Sequence, residues 1–423
     1  MADALSTVSG ICARLAAHWT MESNHKPNRV RRLLSLILKL AVCGGALAYL
    51  SDKVALNDSV RLSENPSHRL RLLAEEGDTL RVFDPSNNTT RSVLRSELAS
   101  AEQLRKGQRS IEYGLKTIAA RADWRWASWA FIAYGPVVFI LAWRLQCLLA
   151  MQDITVSFRN SLLLTLAGNF FNFSMPGTTG GDLYKAYHVA RMTDRRTEGI
   201  TVILLDRVMG LVSFLLIAAV TILAFWRTDM IGFYGRWVGY LTVGFFVACG
   251  LFFSRRMRRL IGYESLLKRL PLADKLKRVD ETAFRFRYHP RQATSSLVST
   301  IVSHFLIITS IYFTALALGI HASAYHTDIN LYWAILLASV VGFLLAAIPI
   351  SIQGFGLMEA VFFKVLVEGG WSTSSQMLAL TLGLRLVQII WSLPGVVVPW
   401  LGFARPRQGV DASNPPISAG SAI

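Results

Sequence analysis

Six apolar runs constrain this chain more than anything else in it: residues 33–50, 126–151, 200–226, 237–253, 293–320 and 376–400. Each approaches or exceeds the roughly 20 residues that a helix needs to cross bilayer hydrocarbon. The length of 423 residues would by itself allow two or three soluble domains. A soluble core has no room for so many long apolar stretches, and only 17% of the residues are charged, against about 25% in soluble domains. The chain reads as a polytopic membrane protein.

Its charge fits that reading. The formal net charge of +17 is large for a sequence that is 52% hydrophobic. Much of the excess sits in short connectors beside apolar runs, where it sets topology and attracts anionic lipid. Residues 255–291 hold 12 Lys/Arg against 4 acids, so this connector is expected on the cytoplasmic side. No zinc-finger spacing or RNP-like pattern accompanies the basic residues, which argues against a nucleic-acid partner. Cys43, Cys147 and Cys249 lie in apolar segments and Cys12 in the N-terminal tail. Neither a disulfide framework nor a metal site follows, and no cofactor is expected.

The chain divides into five expected parts: a cytoplasmic tail at 1–32, a first span at 33–51, an extracytoplasmic insertion at 52–125, the membrane domain at 126–402, and a cytoplasmic tail at 403–423. A cleaved signal peptide competes for 33–51, because Ala46-Leu47-Ala48 resembles a cleavage box. The 32-residue leader favours an uncleaved anchor. Both readings place 52–125 outside the cytoplasm. Within it, 68–73, 79–83 and 89–94 are strand-like runs separated by Gly, Asp, Pro and Asn, which predicts a small β-meander. Residues 96–120 carry apolar positions mostly at three- and four-residue steps, which predicts a helix. The 13 basic and 11 acidic residues of 52–125 nearly cancel, and long loops cross largely regardless of charge.

Two apolar stretches cannot be simple spans. Residues 158–175 run into Pro176-Gly177-Thr178-Thr179-Gly180-Gly181-Asp182 and then into a basic return containing Lys185, Arg191, Arg195 and Arg196. Residues 331–348 reach Pro349, pass Gly354-Phe355-Gly356, and continue through a short apolar segment with Glu359. Consistent loop charges require each stretch to enter and leave on one face, the first from inside and the second from outside. The expected fold class is therefore all-α polytopic, with about six transmembrane helices, two oppositely oriented re-entrant hairpins, and a small β-meander/helix insertion. Both termini are expected to be cytoplasmic and the membrane to be the inner (plasma) membrane.

Matched breaks of this kind build the sites of several transporters. Glycine lets backbone approach closely, and a helix restarting after a break presents N–H groups suited to an anion. Lys185, Arg207 and Arg385 are the expected phosphate-binding charges; Gly180, Gly181, Gly354 and Gly356 allow close approach. Asp182 and Glu359 would orient those bases or meet a cationic headgroup, and Asn172 and Gln353 would supply hydrogen bonds. An Arg at the centre of a span costs about 2.5–3.5 kcal/mol, so Arg385 needs a partner such as Glu359, Asp182 or a lipid phosphate. Asp206-Arg207 poses the same question, the plainer alternative being a structural ion pair that fixes helix register.

Three ordered motifs carry a family resemblance: Asn169-Phe170-Phe171-Asn172-Phe173-Ser174-Met175-Pro176-Gly177-Thr178-Thr179-Gly180-Gly181-Asp182-Leu183-Tyr184-Lys185, then Leu204-Leu205-Asp206-Arg207-Val208-Met209-Gly210-Leu211, then Pro349-x4-Gly354-x-Gly356-x-x-Glu359. Over about 127–400 the chain resembles the transmembrane (flippase-like) domain of lysylphosphatidylglycerol synthases and their stand-alone relatives. The resemblance implies an inner-membrane protein that handles a lipid headgroup. In full-length synthases a separate soluble domain performs aminoacyl transfer; a stand-alone member without it is expected here. The insertion at 52–125 is not explained by the resemblance. The leading expectation is a non-enzymatic binder and translocase of a phospholipid or lipid-linked headgroup, anionic or zwitterionic. A separate soluble transferase is a candidate partner. The alternative is an integral-membrane transferase, or an accessory subunit of one, with Asp182 or Glu359 as general base.

Overall fold

The computed structural model describes residues 44–45, 57–104, 108–174, 180–193, 195–224, 239–240, 242–244, 247, 288–321, 330–347 and 354–401. Most of the expected spans at 33–50 and 237–253, most of the 255–291 connector, both tails and the centres of the two breaks fall outside these residues, Gln353 among them.

The insertion forms an antiparallel sheet: β1 (Ser59–Leu62), β2 (Asn65–Glu76), β3 (Thr79–Asp84), β4 (Thr89–Leu94) and β5 (Ile111–Glu112), in the order β4-β3-β2-β1-β5. Alternation along the strands puts Val60, Leu62, Leu70, Leu72, Leu80, Val82 and Val93 into one small core. The tight β2–β3 turn uses Gly77 at φ 63°. The helix expected over 96–120 is not formed as such. Two short 3-10 turns, Arg95–Glu97 and Ala101–Gln103, precede β5, and only α1 (Leu115–Ala120) is α-helical. Two of the apolar residues that suggested a continuous helix serve the sheet instead. Leu98 bridges to Leu62, and Ile111 pairs with Val60 on the free edge of β1. Edge pairing and core burial outweigh the helical spacing.

Asp58 then ties the sheet to α1, accepting hydrogen bonds from the Gly114 N–H (2.6 Å) and the Thr117 hydroxyl (2.9 Å). The membrane region follows with α2 (Trp124–Ala150), α3 (Phe158–Ser174), α4 (Gly180–Met192), α5 (Arg196–Ala224), α6 (Pro290–Ala317), α7 (Leu331–Ala346), α8 (Leu357–Phe362), α9 (Ser374–Ser392) and α10 (Val398–Leu401). Among the described residues, four stretches are long and apolar enough to cross a membrane: Trp124–Ala150, Arg196–Leu223, Pro290–Ala317 and Ser374–Trp400. They coincide with the four expected spans that lie within the described residues. The last is interrupted, because Leu393–Val396 tightens into a 3-10 turn at Pro394. There Gly395 meets the Leu166 carbonyl so closely that a Cβ would lie 2.2 Å from it.

Two apolar cores stabilise the bundle. One gathers α2, α3, α4, the start of α5 and Val398 around Leu145, Leu148, Leu164 and Val189. The other gathers the far half of α5 with α6, α7, α8 and α9 around Ile308, Ile335, Phe362 and Leu380. Each hairpin thus has its own core, and α5 contributes to both. Close helix packing relies on small and hydroxylated residues, as expected where lipid competes for apolar surface. Ser310 donates to the Ala130 carbonyl (2.7 Å), and Trp391 donates to the Phe131 carbonyl (3.0 Å) while its ring covers Gly135. The sheet-bearing end is fixed to the bundle by Asp123 N–H donating to Ala317 O (2.9 Å), and by Gln376 Nε2 donating to Leu318 O (3.3 Å). The start of α2, the end of α6 and the start of α9 therefore share one end of the molecule.

Candidate functional site

The first hairpin pairs α3 with α4. An ideal Cβ on Gly181 would lie 1.8 Å from the Gly168 carbonyl oxygen, so the two backbones touch where only glycine fits. Phe171 stacks on Tyr184 at 4.5 Å between ring centres and holds the same interface one turn further on. Asn172 Oδ1 accepts the Gly181 N–H at 2.9 Å, satisfying a donor in the first turn of α4. Asp182, third residue of that helix, forms an ion pair with Arg207 of α5. Lys185 lies one turn on and is 7% exposed, its methylene stem laid across Gly168.

The second hairpin pairs α7 with α8. Gly354 has φ 72° and Gly356 φ 85°, values that disfavour other residues. At Gly354 a Cβ would also strike the Ala346 methyl at 2.4 Å. Glu359, third residue of α8, is 2% exposed. Its Oε2 accepts the Gly356 N–H (2.7 Å), and its Oε1 accepts Arg385 Nη2 of α9 (2.9 Å). The Arg385 guanidinium also lies 3.5 Å from the centre of the Phe355 ring. Carboxylate and aromatic face together compensate a cation that insertion into apolar surroundings would penalise.

The hairpins therefore repeat one device. In each, the third residue of the returning helix is acidic and pairs with an arginine on a long helix 25 or 26 residues later. Of the three partners considered for Arg385, the structure pairs it with Glu359. Asp206 and Arg207 do not pair with each other: Arg207 reaches back to Asp182, while Asp206 meets Arg144 of α2 at 2.7 Å. Neighbours on a helix point about 100° apart, so they serve different interfaces. Arg144 also donates to the Thr300 hydroxyl of α6 (3.0 Å), so this third pair ties α2, α5 and α6 together.

The structure brings Asn172, Gly180, Gly181, Asp182, Lys185 and Arg207 to the start of α4, and Gly354, Gly356, Glu359 and Arg385 to the start of α8. Helix α9 packs on both α3 and α8, and α5 on both α4 and α7, so the two hairpins share two walls. Sequence reasoning passed over Arg144 as a partner, although a charge inside an apolar run is the signal that singled out Arg385. It also passed over the buried Ser213–His304 contact between α5 and α6 (2.8 Å), with Phe214 stacked on the imidazole.

Comparison with protein families gives a match: the model described as "Lysylphosphatidylglycerol synthase TM region" covers residues 114–395, about two thirds of the chain. The match includes both hairpins and all three ion pairs. Comparison with curated proteins returns no match.

Proposed function

The chain belongs to the lysylphosphatidylglycerol synthase TM-region family, and on that premise we propose that it binds a phospholipid or lipid-linked headgroup and carries it across the inner membrane. The observation that supports this most is the repeated device: two broken hairpins, each restarting with glycines and each fixed by a buried or half-buried acid–arginine pair. Such breaks expose backbone polar groups that bilayer hydrocarbon cannot satisfy, so they belong where protein or a polar cargo lies beside them. Paired hairpins sharing walls suit a two-state movement that opens the site to one face and then the other. The 12-to-4 excess of basic over acidic residues in 255–291 supports a cytoplasmic location for that connector, and with the expected spans it favours both termini inside.

Full-length protein in liposomes bearing a fluorescent phospholipid tests the reading. Dithionite should quench the inner-leaflet label faster than in empty liposomes, with no new lipid by mass spectrometry. Label protected as in empty liposomes would overturn translocation. A new lipid species would favour the membrane transferase instead. That alternative has weaker support, since both candidate bases, Asp182 and Glu359, are committed to arginines.

A further inference from the structure

Among the described residues of the membrane region, the buried charged side chains are paired, with one exception. Arg144 is matched by Asp206, Arg207 by Asp182, and Arg385 by Glu359. Lys185 is 7% exposed, yet among the described residues its ammonium has no hydrogen bond and no ion pair. Neither break contains Asp or Glu in its sequence: 175–179 read Met-Pro-Gly-Thr-Thr and 348–353 read Ile-Pro-Ile-Ser-Ile-Gln.

Where this ammonium points is fixed by its stem. A Cβ on Gly168 would lie 2.4 Å from Lys185 Cε, and Gly168 is the residue whose carbonyl touches Gly181. The side chain therefore runs back along α4, as helical side chains do, to the level of the first turn. There the positive end of the helix dipole adds to its charge. Among the described residues, this cation, buried beside a helix start, has no negative charge to match it.

Building on the lipid-binding reading above, we propose that the start of α4 is a seat for the phosphate of a net-anionic headgroup, with Lys185 as its counter-ion, and that the protein therefore selects anionic over zwitterionic lipids. A headgroup amine would bring a second cation beside Lys185 and Arg207 and forfeit the gain.

The test uses full-length protein in neutral detergent with Lys185→Met, which keeps the stem across Gly168, and Lys185→Arg, which keeps the charge. Native mass spectrometry should show phosphatidylglycerol bound over phosphatidylcholine by about tenfold, equivalent to about 1.4 kcal/mol. K185M should bring that ratio near one and K185R should retain it. K185M should also melt no lower than the parent without lipid, and lose the upward shift that phosphatidylglycerol gives the parent. Glycerol 3-phosphate should leave the bound lipid in place; its displacement of that lipid would make the occupant a soluble phosphate and overturn the lipid assignment. Equal binding of both lipids by the parent, an unchanged ratio in K185M, or a lower melting point for lipid-free K185M would overturn the proposal. Binding is read apart from transport: selective binding without label movement in liposomes removes translocation alone, and movement without selectivity removes the Lys185 seat alone.

Discussion

Glu359 Oε1 lies 2.9 Å from Arg385 Nη2, joining the first turn of a returning helix to the middle of the last long one. The same carboxylate closes the turn at Gly356. Hairpin geometry and charge compensation thus depend on one side chain.

Neutralising one member of this pair should cost about 3–5 kcal/mol, because the other charge stays buried without compensation. Glu359→Gln should lower the melting point in detergent and abolish lipid movement. The double variant E359Q/R385M should recover much of the melting point while lipid movement stays lost. Lipid movement at the parent rate in the double variant would relegate both residues to scaffolding.

The Arg144–Asp206 pair should behave oppositely. It bridges three long helices, and neither of its members touches the first turn of a returning helix. D206N alone should destabilise by about 3–5 kcal/mol, whereas the apolar double variant R144M/D206L should be neutral or more stable by about 1–4 kcal/mol. Transport by the double variant should match the parent in the liposome assay.

Glycine contacts give a third expectation. Gly181→Ala must push α4 off the Gly168 carbonyl, and over-packing of this kind costs about 1–3 kcal/mol. Gly354→Ala adds a strained φ to a clash with Ala346. Both should melt earlier than Gly210→Ala, whose Cβ would enter open space.

Topology is checked by cysteine labelling in a background without Cys12, Cys43, Cys147 and Cys249. Ser92→Cys on exposed β4 should react with an impermeant maleimide in intact cells. Arg191→Cys, exposed at the end of α4, should react only after permeabilisation.

The hydropathy pattern located every described span to within a few residues, because crossing hydrocarbon leaves little freedom in length or composition. The glycines at the starts of α4 and α8 were legible for a related reason: paired Gly has few other uses in such a setting. Ion-pair partners were less so. Asp206 and Arg207 adjoin in sequence, and only helix packing decides that one faces α2 and the other α4. Residues 96–120 misled because spacing alone cannot tell a helix from separate residues that each cover a sheet edge. Nothing local reveals that Ile111 pairs with Val60.

Glu359 and Arg385 have one more consequence. A segment that rocks with its acid and base locked together displaces no net charge, so the electrical potential across the membrane exerts almost no force on it. Voltage would act on the passenger and on Lys185, and not on this pair.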